Sequence, residues 1–178
     1  MPYLVALISV LCVMNLALMI AVTRRVREQG ELLARLPKAR PHAQRLPRGT
    51  QVPDFTAVTM TGASRSLADM AGSRALVGFF SPGCPPCHEQ LPEFARFARA
   101  IPGGAGQVIA VLTGAERSAA EFVAELDGVA AVVFEQSGGP VATAFSAPGF
   151  PSFYLMDADG RIEASGMVME MIAVPASA

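Results

Sequence analysis

Residues 75–94 read ALVGFFSPGCPPCHEQLPEF. The first six are an unbroken apolar run of buried-strand length. A turn with Pro82 and Gly83 follows. Then come two cysteines three positions apart, Cys84 and Cys87, separated by two prolines. A helix is expected from about Pro85 to Ala100. The chain has only three cysteines in 178 residues, and the third, Cys12, lies far away in an apolar segment.

A helix opening at Cys84 carries Cys87 nearly one turn further along the same face. That spacing brings the Cα atoms to about 5–6 Å, inside the range a disulfide requires. The pair can therefore close and open with little backbone movement. A helix start also offers unpaired N–H groups and a partial positive charge, a setting that favours a thiolate over a thiol. Proline fits the first turn because its missing N–H has no intrahelical partner there. Pro85 and Pro86 stiffen the turn and remove two donors from the neighbourhood of the Cys84 sulfur, leaving the N–H of Cys87. His88 stands four after Cys84 on the same face; a protonated ring there would favour the thiolate further, and a solvated surface histidine is the plainer alternative. Zinc ligation by the pair would need two more ligands, yet the only histidines are His88 and His42 and there is no second cysteine pair. A purely structural disulfide closing so small a loop would constrain the unfolded chain only modestly. The expectation is a metal-free site whose only redox group is the Cys84–Cys87 disulfide, with no other cofactor.

Outward from this stretch the hydrophobic period switches repeatedly. Phe55–Met60 alternates as a strand does, and Thr61-Gly62 turns. Ser66–Met70 reads as a helical turn with Ser66 and Asp69 placed like a capping box. Gln107–Leu112 is a second buried strand, Ser118–Leu126 an amphipathic helix, Ala131–Phe134 a strand and Val141–Phe145 a short helix. Ser152–Met156 and Arg161–Ala164 form a hairpin about the turn Asp157–Gly160. Strands alternate with helices, so the class is α/β with a central sheet. No internal repeat is present.

Three regions follow: an anchor at 1–23, a basic stalk and linker at 24–50, and a folded domain at 51–178. The composition is 52% apolar, too greasy for a soluble domain of this size alone. Leu4–Val22 explains it, with 19 uncharged residues, enough for a helix to span the ~30 Å hydrocarbon core. No Lys or Arg precedes the run and no small-x-small cleavage site follows, which favours an uncleaved transmembrane helix over a signal peptide. Cys12 and Asn15 then read as helix-packing residues. Residues 37–50 carry three prolines and read as an extended linker. Residues 24–48 hold eight basic residues against Glu28 and Glu31, a net charge of +6, while the remainder from Gly49 has six basic and thirteen acidic residues, net −7. A basic collar beside a membrane helix meets anionic lipid headgroups. Nucleic acid is not an expected partner, because the acidic domain would be repelled. The positive-inside rule places the collar in the cytoplasm. A CxxC domain tied to a membrane more often works outside it. The reading taken is a single-pass protein of the cell membrane with its domain extracytoplasmic, against the pull of the collar.

Taken together, VPDF (52–55), TGASRSLADMAG (61–72), ALVGFF, SPGCPPCHEQLP and GFPSFYLMDADGRI (149–162) resemble the membrane-anchored thioredoxin-like disulfide oxidoreductases of bacteria. The likeness is to the TlpA-like group and to the MauD type of the redoxins. The resemblance spans most of 51–166. It implies a thioredoxin-like fold with a mixed central sheet flanked by helices, and protein disulfide oxidoreductase activity with Cys84 and Cys87 as the exchanging pair. It makes Pro151 a cis-proline facing that pair, with Phe150 and Gly149 offering backbone to an extended client peptide. It sets Pro92 inside the active-site helix as a kink; His88 and Glu89, which follow the pair directly, are read from their positions as supporting residues. The implied partners are a disulfide-bearing client protein, a membrane thiol that donates electrons, and the lipid bilayer. The chain also departs from the family. Gly83 replaces an aromatic before the motif. Gln90 replaces a carboxylate six past the first cysteine. Gly78 stands where thioredoxin has a buried acid, which leaves Glu89, Glu93 or water to deprotonate Cys87. The tail from Gly166 is short for a final helix, so an edge or face of the sheet is expected to be incompletely covered.

Two other readings compete. A peroxiredoxin-like thiol peroxidase has the same fold but needs a Pro-x-x-x-Thr/Ser-x-x-Cys loop and an arginine facing the thiolate; Ser81 fits, but Val77 stands where the proline belongs. A non-catalytic module, such as a metal carrier or membrane adaptor, would keep its function without Cys87.

Overall fold

The structure, a computed structural model, describes residues 12, 14–16, 18–19, 45–115 and 118–172. The chain divides into two units, Met1–His42 and Ala43–Ala178. In the first, the described residues Cys12, Met14, Asn15, Leu16, Leu18 and Met19 are helical and exposed. Among the described residues no helix is long and apolar enough to cross a membrane. The rest of the expected anchor, the stalk at 24–36 and the linker as far as residue 44, His42 included, lie outside the described residues.

The second unit is built on a five-stranded sheet. Its strands are β3 (Ala75–Phe80), β4 (Val108–Leu112), β5 (Ala131–Phe134), β6 (Ser152–Met156) and β7 (Ile162–Gly166), in the order β5-β4-β3-β6-β7. β3 runs parallel to β4 and β4 to β5, whereas β6 is antiparallel to both β3 and β7. The sheet is therefore mixed. β3, β4 and β6 are buried along their whole length, and this is why they read as continuous apolar runs rather than alternating ones. A separate two-stranded ribbon pairs β1 (Thr56–Val58) with β2 (Ser64–Ser66). Among the described residues the α-helices of this unit are α1 (Pro85–Arg99), α2 (Ala120–Leu126) and α3 (Pro140–Ala144).

Alternation along β3 sends its side chains to two cores. Leu76 and Phe80 join Cys87, Leu91 and Phe94 of α1 and Phe122 of α2. Ala75, Val77 and Phe79 face the other way, toward Val52, Phe55, Met70 and the α3 residues Val141 and Ala144. The tail closes the first core: Met169 and Ile172 are buried in it, and the Met169 N–H donates to Gln90 Oε1 at 2.8 Å. Among the described residues each face of the sheet packs against a core, while the edge strands β5 and β7 are only partly buried, so the incomplete cover expected from the short tail falls on the edges. Gln90 does the anchoring, from the position where a carboxylate was expected.

Local expectations fare well where the contacts are local. The Ser66 N–H and hydroxyl both donate to Asp69 Oδ2 at 2.8 Å, ahead of a single 3-10 turn at Ala68–Met70. The hydroxyl bond from Ser66, then the backbone bond, holds the Asp69 carboxyl below the usual range. The 157–160 turn closes with Asp157 Oδ1 accepting from the N–H groups of Asp159 and Arg161. Order begins earlier than Gln51, however. The Gly49 N–H donates to the Ile162 carbonyl at 2.7 Å, and the Ile162 N–H to the Thr50 carbonyl at 3.0 Å. The end of the expected linker is thus bound to the edge of β7.

Candidate active site

β3 delivers the chain to the carboxyl end of the sheet, where Ser81, Pro82 and Gly83 turn it into α1. Pro82 is buried, Gly83 exposed. Cys84 is the N-cap residue with extended dihedrals, and Pro85 and Pro86 occupy the first helical positions. The Cys84 N–H donates to the Ser81 carbonyl at 3.0 Å, and the Cys87 N–H to the Cys84 carbonyl at 2.9 Å. That second bond engages the one donor which the prolines were expected to leave for the Cys84 sulfur.

The two thiols are free and differ in exposure: Cys84 is partly exposed and Cys87 buried. The Cys84 thiol faces the Phe150 carbonyl, Sγ to O 3.6 Å. Cys87 has no exposed surface, and its sulfur accepts the Ser81 N–H at 3.5 Å. Burial pushes the Cys87 thiol up from 9.0 to about 12; the Ser81 N–H opposes the rise, and the nearby Cys84 adds to it.

Across the gap lies the segment that joins α3 to β6. Glu135, just past β5, accepts the N–H groups of Val141 and Ala142 at 2.8 and 3.1 Å and so fixes the start of α3. Ser146 turns the chain with φ of 49°. Pro148 and Gly149 follow, and the Phe150–Pro151 peptide is cis. The buried Ser152 hydroxyl donates to the Gly149 carbonyl at 2.7 Å, tying this segment to the first residue of β6. Cys84, Cys87, Gly149, Phe150 and Pro151 are thus gathered at one end of the sheet.

Other residues singled out in the sequence sit differently. His88 is neither free nor fully solvated: its Nε2 lies 2.8 Å from the Pro82 carbonyl, its Nδ1 3.2 Å from Glu121 Oε2, and its ring meets Phe122 edge-on. Pro92 is exposed within α1. Glu89 is exposed. Glu93 pairs with Arg96 at 2.6 Å, and that hydrogen bond holds its carboxyl below the usual range. Neither glutamate is among the groups acting on the Cys87 thiol, which are Ser81 and Cys84.

Gly78 stands at the position where the resemblance led to an acid, and the space beside it is filled. A Cβ there would lie 2.5 Å from Phe94 Cε2 and 2.8 Å from Phe80 Cε2. Two rings in edge-to-face contact, centroids 5.1 Å apart, occupy the space. The sequence shows the glycine but not its filling. Among the described residues no group of three or more His, Cys, Asp or Glu is placed to hold a metal ion.

The chain is 25% identical over 118 residues to the thioredoxin-like protein YneN of Bacillus subtilis, covering 65% of this chain and 68% of that one. It is 27% identical over 128 residues to the soluble secreted antigen MPT53 of Mycobacterium tuberculosis, covering 72% and 69%. Among solved structures it is similar to the thioredoxin domain of the thiol-disulfide oxidoreductase BVU-2223 from Bacteroides vulgatus. That match has a TM-score of 0.59 and 25% identity, and covers 71% of this chain and 93% of that one. The mixed sheet with its flanking helices is a thioredoxin-like fold, and with a family match running over residues 48–165, the chain belongs to the AhpC/TSA family.

Proposed function

We propose that the chain is a thiol–disulfide oxidoreductase that reduces disulfides of client proteins through Cys84 and Cys87. The observation that carries this reading is the asymmetry of the pair, one sulfur partly exposed at a helix N-cap and the other enclosed beneath it. Their unequal exposure supports the following order of steps. The Cys84 thiolate attacks a client disulfide; an S–S bond forms between Cys84 and one client sulfur, and the other client sulfur leaves as a thiolate and takes a proton. Cys87 then gives up its proton and attacks the Cys84 sulfur. The second client sulfur departs, the Cys84–Cys87 disulfide closes, and two electrons have passed to the client. No cofactor beyond that disulfide is needed.

The Phe150 carbonyl beside the Cys84 sulfur and the adjoining Gly149 are suited to lie along an extended client segment. Pro151 follows them directly. The two prolines of the motif keep the first turn of α1 stiff. Electrons return from a membrane thiol donor, and the uncharged run at 4–22 anchors the domain to the bilayer on its extracytoplasmic side. The names of the relatives support the redox class; the client and the anchor rest on the residues of this chain.

The peroxidase alternative gains nothing from the fold. Val77, where its loop would need a proline, is enclosed within β3. The deciding experiment follows dithiothreitol-driven reduction of insulin by the full chain in detergent micelles, alongside consumption of hydrogen peroxide. Insulin reduction that disappears in Cys84→Ser is expected. No reduction above background, or equal rates with and without Cys84, overturns the proposal; peroxide consumption dependent on Cys84 replaces it with the alternative.

A further inference from the structure

We infer that His88 is a positioning residue for the redox turn: its imidazole holds the Pro82 carbonyl, and Glu121 on α2 holds the imidazole. This rests on the reading of Cys84 and Cys87 as an exchanging pair and goes beyond it, because it names what fixes the geometry of exchange. The peptide joining Pro82 to Gly83 lies one before the peptide that carries the Cys84 N–H. Gly83 has no side chain to seat it, and a Cβ there would meet nothing within 4 Å. Pro82 itself is seated, since its ring packs where a side chain on Gly114 would come within 3.3 Å of it. The Cys84 N–H returns to Ser81 at 3.0 Å. Between these two fixed points the intervening carbonyl is held by His88 Nε2 at 2.8 Å.

The chemistry of that contact is one-way. A carbonyl only accepts, so Nε2 carries the proton in either the neutral or the charged ring, and Nδ1 can donate to Glu121 only in the charged ring. Nδ1 is turned to Glu121 Oε2 at 3.2 Å, and Phe122 meets the ring edge-on with centroids 4.8 Å apart. The imidazole is thus oriented by α2 and grips the turn from α1. Glu121 is 71% exposed and His88 37% exposed, so their contact is screened by solvent and contributes less than the bond to Pro82.

Closing the Cys84–Cys87 disulfide requires Cys84 to present its sulfur to Cys87 rather than swing with a free turn. Fixing the turn ahead of Cys84 raises the effective concentration of one sulfur at the other. Its loss therefore weakens the disulfide relative to the dithiol without needing to change global stability. The reaction that reads this is protein dithiol plus oxidised glutathione giving protein disulfide plus two reduced glutathiones, with two electrons and two protons passing to glutathione.

The equilibrium constant is measured on the full chain by thiol trapping across a series of glutathione ratios. His88→Ala is expected to lower it about fivefold, the span a single hydrogen bond confers. His88→Gln keeps an N–H donor of similar reach and is expected to restore it to within about twofold. Glu121→Ala shifts it the same way as His88→Ala, but by less. If His88→Ala does not fold by circular dichroism, Glu121→Ala decides: a lowered constant supports the inference and an unchanged one overturns it. Equal constants for the parent and His88→Ala overturn the positioning role and leave the exchanging pair standing. A parent chain with no dithiol–disulfide equilibrium overturns the underlying reading instead.

Discussion

Cys87 has no exposed surface, whereas Cys84, three residues earlier, is partly exposed and faces the Phe150 carbonyl. The spacing of the two was readable from the sequence, because a helix N-terminus and a period of 3.6 fix it. Their inequality was not, since it depends on Leu91 and Phe94 and on β3 closing over one sulfur. Two consequences follow at Cys87. First, iodoacetamide added to the reduced chain at pH 8 is expected to modify Cys84 and to spare Cys87, recovered unmodified by peptide mapping, while the exposed Cys12 labels independently of the pair; equal labelling of Cys84 and Cys87 would contradict the enclosure. Second, the folded state holds the Cys87 proton more tightly than the unfolded chain does, with the thiol raised from 9.0 to about 12 by burial. Below pH 9 both states keep the proton and it contributes nothing to the pH dependence. Between pH 9 and 12 the unfolded chain releases it first, so the stability of the reduced form falls across that window. Urea unfolding of the reduced chain is expected to show this decline, and Cys87→Ala to flatten it, whatever packing the substitution itself removes.

β3 and α1 meet through the rings of Phe80 and Phe94 over Gly78, and this contact leaves no room for a side chain. A methyl group at Gly78 lands 2.5 Å from the Phe94 ring, so one of two buried elements must shift. Overpacking of this kind costs about 1–3 kcal/mol, and Gly78→Ala is expected to lose that much stability in urea unfolding. Combining it with Phe94→Leu should cost less than the sum of the two changes, because the smaller side chain makes room; strict additivity would show that the ring is not what fills the site. The elements themselves were largely legible. β3, β4 and β6 announce themselves as apolar runs because both their faces are covered, and α1 ends at Arg99, within a residue of its expected end. What the sequence could not carry are contacts between elements. Gln90 reaches the Met169 N–H across 79 positions. Glu135 fixes α3 from the end of β5, and Glu121 orients His88 from a different helix. No spacing rule connects such pairs, and an exposed-looking histidine in the sequence becomes a bound one only once α2 is folded beside it.

The chain as a whole joins two parts of opposite character: an uncharged N-terminal run followed by a basic collar of +6, and an acidic domain of −7. The structure divides it between His42 and Ala43, a few residues before the linker was expected to end, and the family match begins close by, at residue 48. The second unit has cores of its own. Both faces of its sheet are covered, the bonds of Gly49 and Thr50 to Ile162 secure its first described residues, and the Gln90–Met169 bond holds its tail. A fragment of residues 43–178 is therefore expected to fold without the rest. Its near- and far-ultraviolet circular dichroism should match the difference between the full chain and a 1–42 peptide, and its unfolding should be a single cooperative transition. Residues 45–50 separate this view from the narrower domain read in the sequence. Starting the fragment at residue 51 removes the two backbone bonds to Ile162 and the Arg161 contact with the Gly49 carbonyl. At roughly 0.5–1.5 kcal/mol for each hydrogen bond, that fragment should unfold at lower urea concentration than the longer one. Identical midpoints for the two fragments would return residues 45–50 to the linker.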